Sequence, residues 1–298
     1  MVELAGIITA MVTPFTKTDE IDLVSTKQLV NQLINKGISG LFILGTNGEF
    51  HVMTRTEKLA FAELVIKETA GRVPVYVGTG GNSTSEVISL SNEMANLGAD
   101  ALSVISPYFV GLSEEEVTEH YLKIANEVKV PIILYNIPKN TGINISSKTV
   151  SQLAKHPNVI GMKDSSGDLA NLESYIKATR DQAFDVLVGS DSLILKALKA
   201  GATGAVAATS NVLTTNNIAI YDNWQKGNLT EAQKMQDSIE EFRRVLKFGT
   251  LPSVLKAAIT NQGINVGDPR LPVLPLKPTE LVEVVAVMAT YQKEYQDL

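Results

Sequence analysis

Eight short apolar segments, rich in β-branched residues, recur along this chain of 298 residues, and each ends in polar or glycine-rich residues. The segments between them have the length of helices, and this alternation predicts βαβ units with parallel strands and right-handed crossovers. Eight successive units favour a closed (β/α)8 TIM barrel, and the alternative is a doubly wound open sheet. The predicted strands span residues 6–9, 40–44, 73–78, 101–105, 131–135, 159–163, 185–189 and 204–208.

Three of the intervening segments begin with the signature of a helix N-terminus. A Ser or Thr is followed three residues later by Glu, which is typical of a capping box in which each side chain binds the other residue's backbone N–H. Helices are therefore predicted to start where the strand pattern requires them. The pairs are Thr54 with Glu57, Ser83 with Glu86, and Ser113 with Glu116.

The chain after residue 208 predicts helices rather than further strands. We expect the first of them to complete the barrel, so that residues 1–226 form the (β/α)8 barrel and residues 227–298 form a C-terminal helical extension packed on it. A loop at residues 263–277, which contains two glycines and three prolines, separates the last two helices. The predicted helices span residues 215–226, 230–247, 252–262 and 278–295.

Composition narrows the classes of function. The net charge is -6 and the pI is near 5.2, and no run of basic residues is present, which argues against nucleic acid or an anionic membrane as a partner. The absence of cysteine excludes disulfides, thiolate catalysis and cysteine-ligated metals. The first residues contain no basic leader, and no apolar stretch reaches the ~18 residues of a membrane span. We therefore expect a soluble cytoplasmic protein.

The histidines give no sign of a metal site. His51, His120 and His156 are isolated in the sequence and have no histidine or carboxylate partner at metal-ligand spacing. We expect surface or capping roles for all three.

Candidate chemistry lies at the ends of the predicted strands, because barrel enzymes assemble their sites at the C-terminal ends of their strands. Lys163 ends the sixth strand and Tyr135 ends the fifth, so both would lie on the same rim. Burial disfavours the charged form of an amine, and a neutral amine is a nucleophile suited to Schiff-base chemistry, with a nearby phenol to move protons. The alternatives are a lysine that extends into solvent and a tyrosine that belongs to the core.

Three other strand ends carry small and polar residues. The second strand ends in the sequence GTNGEF from Gly45, whose glycines let backbone N–H groups converge on an anion such as a carboxylate, although an ordinary turn is the alternative. The seventh and eighth strands end in small polar residues that leave room for a polyhydroxylated substrate. Asp191, after the seventh strand, could equally be a helix N-cap. The GTGG sequence from Gly78 lacks a P-loop lysine and predicts a turn into a helix.

Five motifs together resemble the dihydrodipicolinate synthase and N-acetylneuraminate lyase family, and the likeness covers essentially the whole chain. The resemblance implies a homotetrameric barrel with a helical extension that forms a lysine Schiff base with pyruvate or another 2-oxo acid and requires neither a cofactor nor a metal. The motifs are GTNGE at Gly45, YNIP at Tyr135, GMKDSSGD at Gly161, GSDSLIL at Gly189 and GATGAVAATSNV at Gly201.

The resemblance also implies roles for individual residues. Lys163 would form the imine, Tyr135 would shuttle protons, and Thr46 and Asn47 would hold the substrate carboxylate. The remaining positions would line the substrate: Gly189 and Val206 at the pyruvate end, and Ser165 and Asp191 along the rest of the molecule.

The chain departs from the synthase branch of the family at three places. That branch usually has a second threonine, a second tyrosine and an arginine where this chain has Asn47, Phe109 and Asn140. Asparagine cannot replace the bidentate clamp that arginine forms on a carboxylated aldehyde. The sequences GTNGEF from Gly45 and PKNTG from Pro138 resemble instead those of aldolases for 2-keto-3-deoxy sugar acids or 4-hydroxy-2-oxoglutarate, and an aldolase of this kind is what we expect. The alternatives are a 4-hydroxy-tetrahydrodipicolinate synthase, an N-acetylneuraminate lyase and a non-catalytic ligand-binding barrel.

Overall fold

The structure, a computed structural model, describes residues 4–294, and within them eight parallel strands close into a single barrel. The predicted barrel is confirmed and the open-sheet alternative is wrong, because the first strand pairs with both the second and the eighth, with Gly6 opposite Gly204. Each predicted strand begins and ends within two residues of the observed one. The strands are β1 (Gly6–Ala10), β2 (Gly40–Ile43), β3 (Val75–Gly78), β4 (Ala101–Ile105), β5 (Ile132–Asn136), β6 (Val159–Asp164), β7 (Asp185–Val188) and β8 (Gly204–Ala207).

Both faces of the barrel strands are buried, and for this reason the strands are almost continuously apolar. Alternate residues point inward, as in β2, where Phe42 joins the core inside the barrel while Leu41 and Ile43 pack against the surrounding helices. The inner core also contains Tyr135 of β5. The chemistry of the strand ends therefore lies directly above a packed apolar floor.

Helices surround the barrel and continue beyond it. Thr54 and Ser113 form complete capping boxes with Glu57 and Glu116, whereas Ser83 only accepts the N–H of Glu86. The helices are α1 (Leu23–Asn35), α2 (Arg55–Thr69), α3 (Thr84–Leu97), α4 (Glu114–Glu127), α5 (Pro138–Thr141), α6 (Ser147–Leu153), α7 (Leu169–Thr179), α8 (Ile194–Ala200), α9 (Thr214–Gln225), α10 (Leu229–Ser238), α11 (Glu240–Val245), α12 (Ser253–Asn261) and α13 (Pro278–Glu294).

The predicted helix at 230–247 is wrong in one respect, because the structure divides it into α10 and α11. The Tyr291 hydroxyl on α13 accepts the N–H of Phe242 at 3.1 Å and donates to the carbonyl of Ser238 at 2.5 Å. These are the two groups that a continuous helix would join directly, so the inserted hydroxyl explains the break.

The C-terminal helices pack on the barrel. α9 contacts β1, α10 contacts α8 and α9, and α13 contacts α11 and α12. No regular helix or strand interrupts the loop between α12 and α13, and the predicted end of the last helix at Tyr295 lies outside the described residues. No helix in the described part of the chain combines the length and apolar character needed to cross a membrane.

Candidate active site

Lys163 and Tyr135 are brought together by the register of β5 and β6, in which their Cα atoms are partners. The Lys163 side chain is 4% exposed, and its Nζ lies 4.2 Å from the centroid of the Tyr135 ring and 4.3 Å from that of Phe42. No carboxylate of residues 4–294 forms a salt bridge with this amine. Aromatic faces therefore take the place of an ion-pair partner beside the amine.

The Tyr135 hydroxyl lies at the wall of a cavity rather than within the apolar core. It is 3.2 Å from the Thr46 Oγ1, with either atom as donor. The ring packs edge-on against Phe42, with centroids 6.0 Å apart. The barrel core thus fixes the ring and leaves the phenol beside Thr46, where a proton can pass between the phenol and a group on Lys163.

Residues 45–48, which we name the cradle loop, follow β2. A Cβ on Gly48 would lie 3.0 Å from the Leu44 nitrogen, so glycine allows the chain to turn back on itself here. The Asn47 Nδ2 donates to the Ala10 carbonyl at 3.3 Å. No hydrogen bond within residues 4–294 uses the backbone N–H groups of Thr46 or Asn47. Both donors are therefore available to an anion.

A cavity of about 730 Å³ opens at the C-terminal ends of the strands. The structure brings eight of the nine predicted site residues to its wall, and the exception is Asp191. The eight are Thr46, Asn47, Tyr135, Asn140, Lys163, Ser165, Gly189 and Val206.

Asp191 does not face the cavity, contrary to the expectation for the rest of the substrate. Its buried carboxylate accepts the N–H groups of Ala208 and Thr209, at 3.1 and 2.7 Å. Burial raises the pKa of this carboxyl, and the hydrogen bonds from Thr209 and Ala208 oppose the shift. The side chain therefore joins the end of β7 to the end of β8, which explains why it points away from the substrate space.

Gly189 adjoins the reactive amine. A Cβ at this position would lie 2.0 Å from the Ser165 Oγ and 3.0 Å from the Lys163 Cε. The missing side chain therefore leaves the space that the methylene chain of Lys163 needs.

Several residues of the cavity wall were not predicted from the sequence. Lys139 of α5 and His51 of a short 3-10 helix (Phe50–Val52) lie near predicted site residues in the sequence. A second group of wall residues comes from the chain after α11. Apart from its glycine and proline turns, that segment offers no chemical signal in the sequence. Among residues 4–294, no aspartate and no glutamate belongs to the lining, so the formal charge of the lining is positive. The C-terminal group comprises Leu246, Lys247, Gly249, Thr250, Leu251 and Val273.

Phe109 does not line this cavity. Its side chain is 95% exposed on the loop after β4, and its backbone has φ +82°. Val110 beside it is also exposed. Within this single chain the residue that replaces the family's second tyrosine thus lies apart from Lys163.

The expectation of a surface or capping role is wrong for His120. This side chain is 6% exposed, its Nδ1 is 2.9 Å from the Thr84 Oγ1, and its ring packs against Tyr121. Burial lowers the pKa of His120 to about 4. His51 is exposed at the cavity wall, and His156 is half-buried with its Nε2 beside Asn126.

Comparison with known proteins agrees with this geometry. Residues 3–290 match the model of the dihydrodipicolinate synthetase family. A 4-hydroxy-tetrahydrodipicolinate synthase of Oceanobacillus iheyensis is 34% identical over 96% of this chain and 97% of its own. The crystal structure of dihydrodipicolinate synthase DapA-2 from Bacillus anthracis is 35% identical with a TM-score of 0.94, over 97% of this chain and 99% of that one. YagE from E. coli K12, crystallised in complex with pyruvate, is 30% identical with a TM-score of 0.93, again over 97% and 99%. This chain therefore belongs to the dihydrodipicolinate synthetase family.

Proposed function

We propose that the chain is a pyruvate-dependent aldolase that works through a Schiff base on Lys163. The observation that carries the proposal is a buried amine, with no carboxylate partner within residues 4–294, against Tyr135 at the wall of a large cavity. The crystallised complex of the related YagE with pyruvate supports the same ligand here. The reaction needs no metal, because the amine itself is the nucleophile.

The steps follow from the chemistry of an amine and a 2-oxo acid. The Lys163 amine adds to the C2 carbonyl of pyruvate, and loss of water gives an iminium. Loss of a proton from C3 gives an enamine, whose C3 adds to the aldehyde carbon while the aldehyde oxygen takes up a proton. Addition of water then releases the hydroxylated 2-oxo acid and restores the amine. Cleavage follows the same steps in reverse.

The predicted site residues at the wall have roles in this scheme. Tyr135, next to Thr46, carries the protons. The free N–H groups of the cradle loop bind the pyruvate carboxylate, which is the kind of anion that converging N–H groups favour. The small surfaces of Gly189 and Val206 accept the pyruvate end, and Ser165 and Asn140 face the aldehyde end.

We infer that the substrate is a hydroxylated 2-oxo acid, such as a 2-keto-3-deoxy sugar acid or 4-hydroxy-2-oxoglutarate. Asn140 stands at the wall where synthases of the family usually carry an arginine, and no arginine of residues 4–294 lines the cavity. An amide offers neither the charge nor the forked donors that bind a second carboxylate tightly.

A second candidate is 4-hydroxy-tetrahydrodipicolinate synthase, with aspartate semialdehyde as the aldehyde. The name of the Oceanobacillus relative favours it. Lys139 and Lys247 also line the cavity, and no carboxylate of the described chain lies there to neutralise them. Either lysine can serve as a point charge for the carboxylate of the aldehyde.

We propose further that the protein assembles as a homotetramer, as the family resemblance implies. The exposed Phe109 and Val110 are apolar groups that a neighbouring subunit would cover. Light scattering on a sizing column measures the mass in solution, and a monomer would contradict this part of the proposal.

The test of the function traps the imine and then compares aldehydes. Pyruvate with borohydride should add a reduced three-carbon group to Lys163 alone, as read by peptide mapping, and an adduct on Lys196 or Lys256 instead would contradict the mechanism. On the same preparation, kcat/KM is compared for pyruvate with glyceraldehyde, glyoxylate, N-acetylmannosamine and aspartate semialdehyde. The synthase assignment replaces the aldolase assignment if aspartate semialdehyde is the best acceptor.

A further inference from the structure

A buried ion pair joins the end of the cradle loop to the C-terminal part of the chain. The Glu49 Oε1 and the Lys256 Nζ are 2.6 Å apart, and both side chains are only 1% exposed. Glu49 directly follows the cradle loop, and Lys256 belongs to α12, more than 200 residues later. Neither side chain lines the cavity.

Both charged groups of the pair form a further hydrogen bond to the backbone of the loop after α12. The second oxygen of Glu49 accepts the backbone N–H of Arg270 at 2.8 Å, and Lys256 donates to the Asp268 carbonyl at 3.0 Å. The ring of Phe15 lies 4.3 Å from the Lys256 Nζ and 4.1 Å from the Arg270 guanidinium. Burial lowers the pKa of Lys256, and the adjacent Glu49 opposes that shift. All the partners except Phe15 belong to α12 or the loop after it.

The pair bears directly on the geometry of the cradle loop. Glu49 has a left-handed backbone with φ 56°, and its N–H donates to the Thr46 carbonyl at 3.2 Å, which closes the turn. The Thr13 hydroxyl fixes the Gly48 carbonyl at 2.7 Å. The backbone of Glu49 thus connects its carboxylate to Thr46, whose hydroxyl contacts Tyr135.

Stability alone gives little reason for a pair of this kind. Taking two charges out of water costs several kcal/mol per ion, and apolar residues of similar volume often serve equally well or better. What an ion pair adds over apolar contacts is a fixed distance and direction between two groups.

We propose that Glu49 and Lys256 are positioning residues, through which the C-terminal helices set the affinity of the barrel for pyruvate. Without the pair, the N–H groups of the cradle loop lose their alignment on the carboxylate. The inference rests on the proposed function, because it assumes that the loop binds the carboxylate of pyruvate.

The experiment measures borohydride trapping at Lys163 against pyruvate concentration, together with the thermal unfolding midpoint. The variants are Glu49→Gln, Lys256→Met and their combination. The matched control combines Arg55→Met with Glu93→Gln, because this exposed pair, 2.9 Å apart, lies away from the cavity.

Each single variant should lower the unfolding midpoint, because it leaves one buried group uncompensated, and the combination should regain most of the loss. The half-saturating pyruvate concentration should nevertheless remain raised in the combination by roughly 10-fold or more, since small misplacements of binding groups are costly. The surface control should keep the wild-type value. A purely structural role would reduce the amount of protein that reacts but not the half-saturating concentration.

Two outcomes overturn the inference. One is a combined variant that regains its unfolding midpoint and saturates with pyruvate like wild type. The other is an unchanged half-saturating pyruvate concentration in Glu49→Asp. This variant keeps both charges and shortens the side chain by one methylene, and it provides the test if the combined variant does not fold. A wild-type protein that traps no pyruvate refutes the proposed function itself, which separates the two failures.

Discussion

The Nζ of Lys163 lies 4.2 Å from the centroid of the Tyr135 ring, and the two residues face each other across β5 and β6 as Cα partners. Strand register alone therefore sets the relative height of the amine and the phenol. Because the phenol adjoins the amine, it can accept a proton from the reacting atoms and later return it to them. No exchange of that proton with bulk water is needed. The apolar floor formed by Phe42 limits the motion of both side chains.

Tyr135→Phe should reduce kcat while leaving pyruvate binding nearly intact. The substitution removes only the hydroxyl that contacts Thr46, and the ring remains packed on Phe42. A positioned acid or base contributes roughly 10²- to 10⁴-fold, so kcat should fall by a factor in that range. Steady-state kinetics and borohydride trapping give the two quantities separately.

The control for this variant is Tyr221→Phe, since Tyr221 lies beside Gly6 and Ser39 at the other end of the barrel. It should keep the wild-type kcat. A folded Tyr135→Phe enzyme with full kcat would assign Tyr135 to the core instead of the chemistry.

Gly189→Ala should slow imine formation. The new Cβ would lie 2.0 Å from the Ser165 Oγ and 3.0 Å from the Lys163 Cε, so one of these side chains must move. Overpacking of this kind costs about 1–3 kcal/mol, and we expect the rate of trapping at Lys163 to fall roughly 10- to 100-fold. Gly111→Ala is the control, because nothing lies within 4 Å of a Cβ there. Equal trapping rates in the two variants would show that Lys163 has room to spare.

The barrel and most of the cavity wall follow from the sequence, because buried parallel strands impose a local pattern. An apolar run with a polar residue at its end identifies Tyr135 and Lys163 without knowledge of any long-range contact. The positions that the pattern misjudged depend on partners distant in the chain. The break before α11 requires the hydroxyl of Tyr291, and the orientation of Asp191 requires backbone donors at the end of β8.

The sequence also did not predict that residues after α11 contribute to the cavity wall. Lys247 and Val273 line the cavity because the C-terminal helices fold back over the strand ends. Nothing in their local sequence distinguishes them from other residues at helix ends and in loops. Such long-range packing depends on the whole fold rather than on any local periodicity.

The free energy of unfolding should decrease as the pH falls from about 6.5 to 4, because His120 is buried in its neutral form. The pKa of His120 is about 4 in the folded chain and 6.5 for a free histidine. Between pH 6.5 and pH 4 the unfolded state binds more protons than the folded state does. The stability that the neutral, buried His120 contributes is therefore fully present above pH 6.5 and is lost as the pH falls from 6.5 to 4. The difference corresponds to about 3 kcal/mol.

Denaturant unfolding at pH 7 and at pH 4.5 measures this effect. His120→Gln should show a smaller loss of unfolding free energy between the two pH values than wild type does. The half-buried His156 provides the control, and His156→Gln should retain the wild-type pH dependence. A wild-type loss that persists in full in His120→Gln would mean that other groups cause it.

Asn140→Arg should shift the choice of aldehyde toward those that carry a carboxylate. Asn140 is exposed at the cavity wall, so a guanidinium there can form charged hydrogen bonds to that carboxylate. Because water screens an exposed pair, we expect a net gain equal to about one such bond, or about 1.5–3 kcal/mol. The ratio of kcat/KM for aspartate semialdehyde over glyceraldehyde should rise roughly 10- to 100-fold, with KM for pyruvate unchanged. Asn140→Lys adds the charge without the fork and should produce a smaller rise. If Asn140→Arg changes both aldehydes equally, residue 140 does not contact the aldehyde half.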